Sequence, residues 1–151
     1  MESYVTEELP QLLKQNFPVD LDKAGITGFS MGGHGSIGLF IKHPDKYKSC
    51  SAFAPGTDFT RTPFAADAFK AYFGDDYDQC HARYSVKDLV AACDRDVKIY
   101  VDFAEKDQYP EDIVESVLTE CENPHVQLTI QIREGYLHDW GFVATFIEEH
   151  V

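Results

Sequence analysis

The sequence predicts an α/β fold in which helices alternate with the strands of a mostly parallel sheet. Three observations support this prediction. Four short apolar runs have the length and the side chains of buried strands, at 24–29, 48–53, 97–103 and 126–133. Segments with helical features lie between them, as in parallel βαβ units. The chain has 151 residues, which fits one domain over 1–151.

The helices are predicted from apolar spacing, caps and breakers. Near the amino end, an apolar stripe at helical spacing is interrupted by Pro10, which should bend the helix or mark a first turn. A second helix is expected over 31–42, ended by His43-Pro44. Later helices are expected over 110–121 and 140–150. Between 54 and 93 the pattern is least regular, and we expect an insertion with a short aromatic helix and a second helix capped by Ser85. Such an insertion either covers an active site or is a plain structural excursion.

Composition and charge exclude several function classes. The formal charge is −13, which argues against nucleic-acid and anionic-membrane partners, and no apolar run reaches the ~18 residues of a membrane span. The four cysteines are widely separated, which suits free thiols better than disulfides or a zinc site. We therefore expect a cytoplasmic protein with no metal and no cofactor.

The stretch between the first strand and the following helix carries the main chemical motif. Gly28-x-Ser30-x-Gly32 has the pattern of a nucleophile elbow, a sharp turn that exposes a serine hydroxyl at the carboxyl end of a strand. We expect Gly28 and Gly32 to be glycine because a side chain at either position would collide with neighbouring backbone. The backbone N–H of Met31 would then donate to an oxyanion. The alternative is a glycine-rich turn with an incidental serine.

A serine nucleophile needs a base and a carboxylate that orients the base. In the α/β-hydrolase fold these groups follow in the order Ser, acid, His, each in a loop after a strand. Among six histidines, only His138 lies shortly after a predicted strand and downstream of a similarly placed acid. Asp107 follows the strand 97–103, whereas Asp102 lies within it and should not reach the sheet edge. The sequence therefore predicts a site of Ser30, Asp107 and His138.

The same stretches resemble the S-formylglutathione hydrolase (esterase D) family. The segments that carry the likeness are YVTEELP at 4–10, GFSMGGHG at 28–35, YKSCSAFAP at 47–55, KDQ at 106–108, EGYLH at 134–138 and FVATFI at 142–147. The resemblance implies an α/β-hydrolase fold and hydrolysis of the thioester S-formylglutathione to formate and glutathione, in formaldehyde detoxification. It also implies cleavage of simple activated esters, with Ser30, Asp107 and His138 as nucleophile, acid and base.

The chain departs from the family pattern at several points. Phe29 stands where histidine is usual, Phe64 where tryptophan is frequent, and Leu137 where aspartate commonly precedes the base. The family's chain is about twice as long, so we expect the amino-terminal strands of the sheet to be absent here, together with a second oxyanion N–H. An open sheet edge beside 24–29 would favour association with another chain, such as a homodimer.

The sequence thus leaves three hypotheses about function open: a serine thioesterase, a general carboxylesterase of the same fold, and an inactive remnant that acts only by associating with another chain. The groups that would hold the carboxylates of glutathione are also open. Arg61, Lys70 and Arg83 lie in the insertion and are candidates, although each could equally be solvated surface.

Overall fold

A computed structural model describes residues 1–57, 63–74, 83–109 and 118–151. Four strands form one sheet there in the order β1-β2-β3-β4, and every neighbouring pair is parallel. The strands are β1 (Gly25–Ile26), β2 (Ser49–Phe53), β3 (Val97–Ala104) and β4 (Val126–Arg133). The predicted α/β class with a parallel sheet is confirmed. Because the strands are parallel, their carboxyl ends meet at one edge, where the loops after them converge.

Five α-helices lie wholly within the described residues: α1 (Leu9–Asn16), α2 (Met31–Lys42), α3 (Pro63–Phe73), α4 (Val86–Ala91) and α5 (Trp140–Phe146). A π-helical segment, Tyr4–Glu8, precedes α1, and Pro10 lies in the first turn of α1 as expected. The predicted cap is confirmed, since the Ser85 hydroxyl accepts the Asp88 N–H at the start of α4. The predicted helix over 110–121 falls largely outside the described residues.

The core lies between the sheet and the helices that pack on it. Ile37 of α2, Val90 of α4 and Val101 of β3 are fully buried. Phe142 of α5 is also buried and meets the ring of Phe53 edge-on, with ring centroids 5.4 Å apart. Ser36 of α2 donates to the Ser51 carbonyl of β2 at 3.0 Å. This packing fixes α2, and with it the turn that precedes it, against the centre of the sheet.

The first strand differs from its prediction. The run 24–29 was expected to be one buried strand, but β1 is only Gly25–Ile26 and neither of its residues is buried. Phe29 makes an isolated parallel bridge to Phe53 further along. Among the described strands β1 pairs with β2 alone, so one side of it lacks a neighbour and apolar sequence alone could not bury it.

One other expectation is corrected at the carboxyl end of the chain. The closing helix was expected to be continuous over 140–150, but α5 ends at Phe146 and a 3₁₀ turn, Ile147–Glu149, follows. In the amino-terminal helix no residue of α1 is buried, and Leu12 of its apolar stripe is 49% exposed. Cys50, Cys93 and Cys121 are free thiols, as predicted, and burial raises the pKa of Cys50 to about 12.

Candidate active site

Ser30 lies at the turn between the bridge at Phe29 and the first residue of α2. Its backbone has φ 58° and ψ −119°, a conformation that costs a residue with a side chain on the order of 1–3 kcal/mol. The strand beside it holds this strain, because the Ser30 N–H donates to the Phe53 carbonyl at 2.9 Å. The Ser30 carbonyl accepts the His34 N–H at 3.0 Å. The turn therefore has the strained backbone that the elbow motif predicts.

The glycines of the motif do not all act as expected. A Cβ on Gly28 would lie 2.2 Å from the Gly32 carbonyl oxygen, which agrees with the predicted collision. The same argument is wrong for Gly32, since among the described residues a Cβ there would meet no atom within 4 Å. The second crowded position is instead Gly33, whose Cβ would lie 3.0 Å from the Phe53 carbonyl oxygen and 3.1 Å from Pro55. Gly33 lets α2 approach the end of β2.

Asp107 and His138 meet at the carboxyl edge of the sheet. Nδ1 of His138 lies 2.8 Å from Oδ2 of Asp107, and each side chain is only 8% exposed. The other carboxylate oxygen of Asp107 accepts the Tyr109 N–H at 2.8 Å. The carboxylate is thus fixed at both oxygens, and it can hold the imidazole in the tautomer with hydrogen on Nδ1 and a free acceptor at Nε2.

The ring of His138 packs against the residue that precedes Ser30. The centroids of Phe29 and His138 are 4.4 Å apart, and Tyr109 approaches the imidazole edge-on at 5.1 Å. Trp140, which is 72% exposed, meets Phe29 edge-on at 5.1 Å. The structure therefore brings the elbow and the Asp107–His138 pair to one place. Ser30 and His138 make no hydrogen bond to each other in the part of the chain that is described.

The loops that carry Asp107 and His138 are tied to each other. The Lys106 N–H donates to the Tyr136 carbonyl at 2.9 Å, and the Gly135 N–H donates to Glu105 at 2.7 Å. Gln108 Oε1 accepts the backbone N–H of His138 at 3.1 Å. No local sequence pattern indicated that Phe29, Gln108 and Tyr109 lie beside the base. Their position beside Ser30 or Asp107 was the only signal for them.

The rival acid and the other histidines lie elsewhere. Asp102 is fully buried within β3, where its Oδ2 accepts from Arg133 Nε at 2.5 Å, so it does not reach His138. Nδ1 of His34 lies 3.1 Å from the Gly56 carbonyl oxygen. Burial lowers the pKa of His34 to about 4, although its hydrogen bonds to the backbone of Gly56 and Tyr84 raise the pKa and offset part of this effect. The side chain of His150 is fully buried against Phe53, with centroids 3.7 Å apart, which nothing in the sequence indicated.

The backbone N–H of Met31 is the candidate oxyanion donor. Met31 is the first residue of α2, where the N–H groups of a helix have no intrahelical partner. Its N–H donates to no backbone carbonyl of the described residues, and its side chain is 75% exposed. A donor at a helix amino terminus suits a developing negative charge.

The remaining sequence-based expectations concern basic side chains, metal ligands and membrane spans. Of the candidates for glutathione's carboxylates, Lys70 and Arg83 are exposed, and Arg61 lies outside the described residues. Within the described ranges, no group of three or more His, Cys, Asp or Glu side chains could hold a metal ion. No helix there is long and apolar enough to cross a bilayer.

Comparison with known proteins gives one family for the whole chain. The profile of the Esterase family, described as "Putative esterase", matches residues 1–151. S-formylglutathione hydrolase from Rattus norvegicus is 37% identical over 155 residues, covering 100% of this chain and 55% of that protein. S-formylglutathione hydrolase from Arabidopsis thaliana is 39% identical, covering 100% of this chain and 54% of that protein.

A solved structure gives the same result for the fold. An S-formylglutathione hydrolase from Agrobacterium tumefaciens superposes with a TM-score of 0.91 at 33% identity, covering 99% of this chain and 55% of that one. The chain thus has the α/β-hydrolase fold predicted from its sequence. It spans about half the length of the curated relatives that it matches.

Proposed function

We propose, because this chain belongs to the Esterase family, that Ser30, His138 and Asp107 form a catalytic triad that hydrolyses thioesters and esters. The observation that carries the proposal is the 2.8 Å pair between Asp107 and His138, packed through Phe29 against the turn that bears Ser30. An orienting carboxylate, an imidazole and a serine at a strained turn are the three parts that acyl transfer to serine requires.

The proposed substrate is S-formylglutathione, and the products are formate and glutathione. Support comes from the relatives, because the rat, Arabidopsis and Agrobacterium proteins are named for this reaction. The reaction would remove formaldehyde that has been captured by glutathione, and we place it in the cytoplasm. An esterase of broader ester specificity is the nearest alternative within the same chemistry.

In the first half of the proposed reaction, Oγ of Ser30 attacks the formyl carbon of the thioester. His138 accepts the hydroxyl proton at Nε2, while Asp107 holds Nδ1 and stabilises the imidazolium. The N–H of Met31 donates to the oxyanion that forms. When the carbon–sulfur bond breaks, His138 returns the proton to the departing sulfur, which leaves as glutathione, and Ser30 carries the formyl group.

In the second half, water attacks the formyl carbon and the same imidazole accepts its proton. The tetrahedral intermediate collapses by releasing Oγ of Ser30, which regains the proton from His138. Formic acid leaves and ionises to formate. Each step uses only groups of this chain, the substrate and water.

A second candidate function is association with another chain. The observation that favours it is the unpaired edge of the described sheet at β1. Among the described strands, β1 pairs on one side only. The chain segment that precedes β1 exposes apolar side chains, since Leu12, Phe17 and Val19 are between 41% and 59% exposed. Open strands and apolar surface of this kind favour pairing. We infer that the chain forms a homodimer or associates further, and size-exclusion chromatography with light scattering tests this. A monodisperse monomer would refute it.

The triad is tested with a fluorophosphonate probe, which forms a covalent bond with an activated serine. The full chain should be labelled at one residue, Ser30, and Ser30→Ala should abolish both labelling and hydrolysis of S-formylglutathione. Ser49→Ala, which removes an exposed serine on β2, is the matched control and should leave labelling unchanged. Labelling that persists in Ser30→Ala would show that the nucleophile is another residue.

A further inference from the structure

Two consecutive residues hold His138 at two separate points. Asp107 accepts from the ring at Nδ1, at 2.8 Å, and Gln108 accepts from the backbone N–H of the same residue, at 3.1 Å. In the described part of the chain, these are the hydrogen bonds of His138. One bond fixes the ring, and the other fixes the backbone from which the ring extends.

The rest of the loop contacts make this backbone bond specific. The Glu105 and Lys106 contacts hold Gly135 and Tyr136, at the beginning of the loop that follows β4. Leu137, which directly precedes His138, is 48% exposed. Gln108 is therefore the side chain that ties the loop after β3 to the backbone of the base, whereas Asp107 contacts its ring.

A hydrogen bond to the His138 backbone can set the direction of the imidazole. The ring leans on Phe29 at 4.4 Å, so a shift of the His138 backbone would slide the ring along Phe29 and change the approach of Nε2 to Ser30. Small displacements of a reacting group from its productive geometry reduce the rate strongly, by as much as ~10²-fold for 1 Å. The Asp107 bond contacts the ring at Nδ1 and does not hold the backbone of His138.

We propose that Gln108 is a positioning residue that fixes the backbone of His138, so that the base faces Ser30. This inference rests on the proposed function. Gln108 acts through His138 and not by touching the substrate. The carboxamide oxygen of Gln108 accepts the hydrogen bond, so a side chain of similar length should position His138 only if it carries a hydrogen-bond acceptor where Oε1 lies.

The test compares Gln108→Met, which removes the acceptor, with Gln108→Glu, which keeps it. In Gln108→Met we expect kcat for a chromogenic acetate ester to fall about tenfold, the value of one hydrogen bond, while KM changes less than about twofold. Gln108→Glu should recover most of kcat at neutral pH. Its added carboxylate should also move the acid limb of the rate profile to higher pH, because it stabilises the imidazolium.

Gln127→Met is the matched control, because Gln127 is an exposed glutamine on β4 outside the loop. It should leave kcat, KM and the pH profile as in the wild type. Amide hydrogen exchange at His138, measured by NMR in the full chain, gives a readout that needs no catalysis. Exchange should be faster in Gln108→Met and unchanged in Gln108→Glu and Gln127→Met.

Several results would overturn the proposal. An increase in KM with kcat unchanged would make Gln108 a substrate contact, and an equal loss in Gln127→Met would make the effect nonspecific. Unchanged His138 amide exchange in Gln108→Met would show that the backbone bond does not hold the base. A wild-type chain that does not hydrolyse the ester would refute the proposed function, and the exchange data would still decide whether Gln108 fixes His138.

Discussion

Replacing Gly28 by alanine should destabilise the protein strongly, although the change adds only one methyl group. The new Cβ would lie 2.2 Å from the Gly32 carbonyl oxygen, 2.3 Å from its carbon and 2.9 Å from the Gly33 nitrogen. All three atoms belong to backbone, so no side chain can turn away. Ordinary C···O contacts begin at about 3.3 Å, so the first turn of α2 would have to move by about 1 Å.

The magnitude follows from what opposes that movement. The space between α2 and β2 is already tight, since a Cβ on Gly33 would lie 3.0 Å from the Phe53 carbonyl oxygen, and the Ser30 N–H is bonded to the same carbonyl at 2.9 Å. The helix α2 therefore cannot shift without disturbing β2. Overpacking of a tight site costs ~1–3 kcal/mol, and a rigid backbone neighbour puts Gly28→Ala at about 3 kcal/mol or more. For a chain of this length that loss lowers Tm by about 6–12 °C.

Gly32→Ala is the control from the same motif. Its Cβ would meet nothing within 4 Å among the described residues, and alanine is favoured over glycine in a helix by up to about 1 kcal/mol. Thermal and urea unfolding followed by circular dichroism should show Gly28→Ala strongly destabilised and Gly32→Ala equal to or above the wild type. Equal losses in the two variants would refute the steric account of the turn.

Three further predictions concern the base, the core and a buried histidine. kcat/KM for an activated ester should fall as the pH is lowered, since protonated His138 cannot accept the proton of Ser30, and a flat profile from about pH 5 to 8 would exclude a histidine base. Phe142→Ala should cost ~3–5 kcal/mol in urea unfolding, because the ring is fully buried against Phe53. A loss below about 1 kcal/mol would contradict the assigned packing. The pKa of His34 is lowered to about 4 in the folded protein, so as the pH falls the unfolded chain takes up the proton at a higher pH than the folded chain does. The free energy of unfolding should therefore decrease between pH 6.5 and pH 4, by up to about 3 kcal/mol from this residue. His34→Gln should be less sensitive over that range, and equal sensitivity would remove His34 as a cause.

The bounds of two strands were predicted accurately from sequence, including those of β4, which pairs with β3 alone among the described strands. The bounds predicted for β3 and β4 agree with the structure to within one residue, and α2 agrees at both ends. β1 was predicted too long: the apolar run 24–29 indicates a strand, but only Gly25 and Ile26 pair with β2 as a continuous ladder, and Phe29 makes an isolated bridge. Burial also depends on neighbouring strands, and β1 pairs with β2 alone among the described strands.

By itself, the sequence determined that Ser30, Asp107 and His138 should lie close together. Each follows a strand or precedes a helix with a clear local pattern, and the carboxyl ends of parallel strands share one edge. The tertiary structure alone decided how they are held. The contacts of His138 with Phe29 and Gln108, and the crowding at Gly33 where Gly32 was expected, join residues that are far apart along the chain. Such contacts depend on where loops and helices meet in space, to within less than an ångström, and local sequence patterns do not fix distances of that kind.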